Sequence, residues 1–169
     1  MTEVTVAAQP GIESFDAFVA ARSRVLWRAA WLLTGESSRA EDLVQTALGK
    51  AWPHFDRVSR EGSFEAYVRK VMFTTYLSWW RRRWNAEQPL PLPETAAASS
   101  DVDLRHDLAS ALAALPKGQR AVVVLRYVED LTEAQTADVL GISVGTVKSQ
   151  ASRALAVLRT SPALAKEES

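Results

Sequence analysis

The stretch "LGISVGTVKSQASRAL", residues 140–155, carries two glycines, two basic residues and no acid. Val147, Ala151, Ala154, Leu155 and Leu158 recur at helical spacing and predict one apolar stripe. At 100° per residue the opposite face holds Gly145, Ser149, Ser152 and Arg153, flanked by Thr146 and Lys148. A solvated helix ordinarily mixes acids with its bases. Short polar side chains instead let something large approach the backbone, and Lys148 with Arg153 makes a negative partner the best fit.

The residues just upstream say how this helix is held. "LTEAQTADVLG" (131–141) reads as a short helix capped by Thr132. Ala137 stands where two helices cross closely and only a small side chain fits. Gly141 suits a left-handed turn, Ile142 and Val147 plug the gap, and Ser143 caps the second helix. This is a helix-turn-helix pattern, whose second helix suits the major groove of DNA. Lys and Arg reach phosphates or guanine edges, and Ser and Thr fit close to the backbone. The pattern points to DNA but leaves open which class of DNA-binding protein carries it.

The charge distribution extends the argument. Net charge is zero over 169 residues, so the chain is not uniformly basic. Arg69, Lys70, Arg81, Arg82 and Arg83 nevertheless occur within residues 69–83 without an acid, and Lys148, Arg153 and Arg159 do the same within 141–160. Between them, residues 86–107 hold Glu87, Glu94, Asp101, Asp103 and Asp107 against Arg105 alone. Local patches rather than the total govern binding to a polyanion. In "YLSWWRRRW" (76–84) aromatic rings alternate with arginines, a composition suited to stacking unpaired bases and tracking phosphates.

The rest of the chain reads as helical. Ser14 is a plausible cap for a helix over 14–34 that Gly35 closes. "SRAEDLVQTALGKAW" (38–52) follows, with Ser37 or Ser38 as cap and Pro53 marking the end. Ser63 opens one or two helices running to Trp84, with a possible break at "FTT" (73–75). In "EQPLPLPETAAASSDVD" (87–103) alternating prolines remove amide donors and the Ala/Ser run has no apolar period, which predicts a flexible linker. "LRHDLASALAAL" (104–115) is a helix. "AVVVL" (121–125) is a run of strand formers, but Val122, Leu125, Arg126 and Val128 fit a helical register.

Other chemistries find little support. There is no Cys, which excludes disulfides and thiolate metal sites. His54 and His106 are isolated and no acidic cluster has metal-ligand spacing, so no catalytic residue, metal or cofactor is expected. No apolar run is long enough for a membrane span, and the first residues lack the makings of a secretory signal.

Three motifs, "SRAEDLVQTALGKAW", "YLSWWRRRW" and "LPKGQRAVVVLRYVEDLTEAQTADVLGISVGTVKSQASRAL" (115–155), stand in this order around a variable linker. In this the chain resembles the extracytoplasmic-function (ECF) sigma factors of bacterial RNA polymerase, within the sigma-70 family, and above all the short SigE-like actinobacterial group. The resemblance implies an all-α chain of two small helical domains: a leader at 1–11, a sigma-2 domain at 12–85, a flexible linker at 86–103, a sigma-4 domain with the helix-turn-helix at 104–160, and a tail at 161–169. It implies a cytoplasmic protein without catalytic chemistry or cofactor, whose partners are RNA polymerase core and promoter DNA. An anti-sigma factor is a further partner it admits.

The resemblance also implies site residues. Glu41, Asp42, Leu43 and Gln45 match the motif that docks the clamp of the largest catalytic subunit, although Thr46 stands where the family often has an acid. Residues 72–76 match a loop that holds a flipped base of the −10 element, with Thr74 where many relatives have Asn. Thr74, Tyr76, Trp79, Trp80, Arg81, Arg82 and Arg83 would serve the −10 element. Ser143, Thr146, Lys148, Ser149, Ser152 and Arg153 match the −35 reading helix. The competing reading is a one-component helix-turn-helix repressor or activator, which would need its ligand or dimerisation domain in residues 12–85.

Overall fold

A computed structural model describes residues 14–85 and 100–164. The expected leader and most of the expected linker and tail lie outside the described residues. Every regular element among those described is helical. In the N-terminal half these are α1 (Phe15–Thr34), α2 (Ser37–Ala51), a short 3₁₀ turn (Trp52–His54), α3 (Phe55–Glu61) and α4 (Phe64–Asn85). In the C-terminal half they are α5 (Ser100–Ala113), α6 (Lys117–Val123), a π-helical turn (Val124–Val128), α7 (Glu133–Leu140) and α8 (Val144–Arg159).

Local chemistry sets most of these boundaries. The hydroxyl oxygen of Ser14 accepts from the Ala17 amide at 3.1 Å, and Gly35 closes α1 at φ 75°. Ser63 accepts from the Ala66 amide at 3.1 Å and starts α4. Thr132 and Gln135 make a reciprocal capping box, each side chain accepting from the other's backbone amide at 3.0 and 2.9 Å.

Four expectations need correction. Glu36, not Ser37 or Ser38, occupies the cap position of α2. Its carboxylate accepts from Ser38 Oγ at 2.7 Å and pairs with Arg39 at 3.0 Å, so the serines fall in the first turn. Helix α4 runs unbroken through "FTT", so residues 72–76 are helix rather than loop. Thr74 turns its hydroxyl back onto the carbonyls of Lys70 and Val71, at 2.9 and 3.1 Å, and so fits a helix interior. Helix α5 begins at Ser100, inside the expected linker.

The "AVVVL" run is helical but not regular. Val122, Val123, Val124 and Leu125 are all buried, which explains why a helix here carries a continuous run of strand formers. The helix then widens into the π turn, with the Glu129 amide donating to the Val124 carbonyl at 2.9 Å. Asp130 ends this segment with a positive φ of 56°.

The two halves share one core. Leu26, Ala30 and Leu33 from α1 and Met72, Phe73 and Tyr76 from α4 belong to the same buried cluster as Leu112, Leu115, Val123 and Val124. Helix α1 packs on α5, and α4 packs on α6 and α7. A smaller cluster of Val122, Ala137, Val147 and Ala151, with Leu140 and Ile142 against it, holds α6, α7 and α8 together.

Candidate nucleic-acid and polymerase interface

The turn between α7 and α8 has the geometry its sequence predicts. Gly141 adopts φ 67°, in the left-handed region, and Ile142 donates its amide to the Ala137 carbonyl at 3.1 Å. Ser143 accepts from the Thr146 amide at 3.1 Å and lies 2.9 Å from the Thr146 hydroxyl. Val147, Ala151 and Ala154 are buried, whereas Leu155 and Leu158 are only partly covered.

The opposite face of α8 is open. Ser143, Lys148, Ser149, Ser152 and Arg153 are exposed and Thr146 is half-buried. Ser149 donates to the Gly145 carbonyl at 3.1 Å, which holds its side chain close to the helix surface. Lys148 and Arg153 therefore project beyond a low polar floor. That relief suits a groove in which bases lie behind a phosphate rim.

On α2 the acidic-amide edge is also open. Glu41, Asp42 and Gln45 are exposed, and Gln45 Nε2 donates to Glu41 Oε1 at 3.4 Å. Leu43 behaves differently. It is fully buried and packs α2 into the core, so it supports this edge from below and is not presented to a partner. Beside the edge, Val19, Trp27, Val44 and Leu48 floor a groove of about 800 Å³ between α1 and α2, with Arg24 and Arg28 on its α1 side. Sequence reading missed this groove because its apolar floor has the same spacing as a core stripe.

The third set is split. Thr74 is exposed on α4. Trp79 is half-buried and packs against the core. Trp80, Arg81, Arg82 and Arg83 lie on the last turns of the α4 backbone. Tyr76 is buried, with the Lys117 ammonium 5.0 Å from its ring centroid, and is not offered to a base in this arrangement. Burial pushes its hydroxyl up to about 12, against the pull of the Arg120 guanidinium beside it.

Comparison with known proteins decides the family. Residues 18–86 match the model of sigma-70 region 2, and residues 105–158 match that of sigma-70 region 4. The RNA polymerase sigma-E factor of Streptomyces coelicolor is 38% identical over 151 residues, covering 86% of this chain and 84% of that protein.

The chain belongs to the sigma-70 family of RNA polymerase sigma factors.

It falls in the ECF group. The ECF RNA polymerase sigma factor SigL of Mycobacterium tuberculosis is 32% identical over 168 residues, covering 94% of both chains. Among solved structures, the sigma factor RpoE of Bartonella quintana, in complex with the anti-sigma factor NepR, is similar with a TM-score of 0.73 and 25% identity. That match spans 88% of this chain and 96% of that one. CnrH in complex with the cytosolic domain of CnrY is similar with a TM-score of 0.64 and 26% identity. The function of this sigma factor is promoter-directed transcription initiation with RNA polymerase core, and the repressor reading is set aside. No helix among the described residues is long and apolar enough to cross a membrane.

Proposed function

We propose a division of labour within this sigma factor. Residues 12–85 form the sigma-2 domain, and its α2 edge of Glu41, Asp42 and Gln45 docks the polymerase clamp. Thr74 and the 79–84 end of α4 engage the −10 element once the duplex opens. Residues 104–160 form the sigma-4 domain, and Ser143, Thr146, Lys148, Ser149, Ser152 and Arg153 of the helix-turn-helix meet the −35 element as duplex. The protein performs no chemistry of its own and works in the cytoplasm, and an anti-sigma factor, as bound to its structural neighbours, is a further partner the fold admits.

The observation that carries this reading is the exposure, on one chain, of an acidic-amide helix edge and a separate helix face of Ser, Thr, Lys and Arg without acids. The first suits a basic protein partner and the second a polyanion. The test is sequencing of transcripts made in vitro by core enzyme with and without this chain. New start sites sharing two upstream elements, lost when Arg153 is replaced by Ala, support the assignment. A transcript pattern identical to that of core alone overturns it.

A further inference from the structure

At the N-terminal end of α8 one apolar side chain stands clear of the core. Val144 is the first residue of the helix, is 39% exposed and belongs to neither apolar cluster. A single exposed valine means little by itself; its place gives it meaning. It directly follows the Ser143 cap and stands one turn before Lys148 on the same edge of the helix. Gly145 comes next and bares the backbone beside it. A Cβ at that glycine would meet nothing closer than Ser143 Oγ at 3.9 Å, so the fold does not demand the missing side chain. A recognition helix enters the major groove with its N-terminal residues foremost. Val144 and the bare backbone of Gly145 therefore lead.

The hydroxyls around Val144 are engaged within the helix. Ser143 and Thr146 hydrogen-bond each other at 2.9 Å, and Ser149 donates to the Gly145 carbonyl at 3.1 Å. Among the described residues, Lys148, Ser152 and Arg153 make no hydrogen bond or ion pair. The side chains free to touch base edges are thus two cations, one hydroxyl and one branched hydrocarbon. The cations and the hydroxyl suit phosphates and the polar atoms of bases. The valine suits none of these. Base edges in the major groove carry one apolar group, the C5 methyl of thymine. Against any other edge, Val144 would strip water from a donor or acceptor without replacing its hydrogen bond.

We propose that Val144 is a specificity-determining residue of this sigma factor, packing on the methyl group of a thymine in the −35 element beside Lys148. It selects by apolar contact where its neighbours act by charge and hydrogen bonding. The inference deepens the −35 assignment made above and rests on it.

The experiment uses holoenzyme, core with the full chain. Duplexes are first selected by holoenzyme from a library randomised over the −35 region. Each thymine of the selected sequence, on both strands, is then replaced in turn by deoxyuridine. That change removes the methyl group and keeps every hydrogen-bonding atom. One replacement should weaken binding about 4-fold, the worth of one methyl taken out of water. Holoenzyme carrying Val144→Ala should bind the parent duplex about 4-fold more weakly and lose most of its sensitivity at that thymine. Val144→Ile should keep that sensitivity. Selection repeated with Val144→Ala should relax the base preference at that position alone. A parent indifferent to every replacement, or a Val144→Ala holoenzyme that keeps the full deoxyuridine penalty, overturns the proposal. A lowered thermal midpoint in Val144→Ala would assign the side chain to the fold and also overturn it. Arg153→Ala separates this inference from the assignment beneath it. If Arg153→Ala weakens binding while Val144→Ala changes nothing, the role of Val144 falls and the −35 helix stands. If neither variant alters binding or the selected sequence, the −35 assignment falls with it.

Discussion

Arg120 reaches across 87 positions of sequence to donate to the carbonyl of Leu33. A long-range hydrogen bond from a buried charge to a helix end makes the two halves one cooperative unit. Their separation strips Arg120 of one acceptor and exposes apolar surface of α1 and α5.

Core binding should depend on the surface of α2 and not on its buried side. Asp42→Arg combined with Gln45→Ala should abolish pull-down of core with the thermal midpoint unchanged, since both side chains are exposed. Loss of a charged interface partner costs about 2–5 kcal/mol. Leu43→Ala should do the reverse: as a buried leucine it should destabilise the fold by about 2–5 kcal/mol. Equal core binding by the double variant and the parent would refute the docking assignment.

The two DNA-facing regions should fail at different steps. Lys148→Ala or Arg153→Ala should weaken promoter binding by about 1–3 kcal/mol if the side chain reads a base. If it meets phosphate alone, binding should weaken for all sequences and the salt slope should fall by about one. Thr74→Ala and Trp79→Ala should spare the closed complex and reduce permanganate reactivity of the −10 region. A pre-melted bubble should rescue the second pair and not the first. Equal rescue of both would break the division of labour.

Folding stability should respond to pH through Glu129. Burial pushes its carboxyl above the usual carboxylate range. Arg69 and Arg22 pull it down, and Glu65 pushes it up. The folded chain therefore holds this proton more tightly than the unfolded one. The contribution runs opposite to that of an ordinary ion pair. The fold gains stability as pH falls from neutral through the raised pKa and into the usual carboxylate range, and loses it as pH rises. Glu129→Gln should raise the thermal midpoint at neutral pH and flatten this part of its pH dependence. Thermal midpoints measured against pH in both chains provide the check. A lower midpoint in the variant at neutral pH would show that attraction to Arg69 outweighs burial.

Local signals in the sequence were sufficient for the helices whose caps are polar side chains. Ser14, Ser63, Thr132, Ser143, Gly35 and Gly141 each close a hydrogen bond or take a backbone angle that their type favours. The helix-turn-helix was legible for the same reason. The π turn after Val123 was not, because the consecutive buried residues there are a run of strand formers. The packing of the two halves on each other was not legible either. Nothing in the pattern around Lys117 and Arg120 marks these two bases as buried, and only the packed structure shows it. Tyr76 looked like a stacking platform because aromatic residues beside arginines have the same composition whether they face a base or a core.

The most direct test of the account is an electrophoretic shift on a duplex carrying both promoter elements, run with this chain alone, with core alone and with both. The sigma-factor reading predicts no sequence-specific complex with the chain alone at physiological salt, and a specific complex when core and chain are combined. A specific complex formed by the chain alone, as tight as that formed with core, would contradict it.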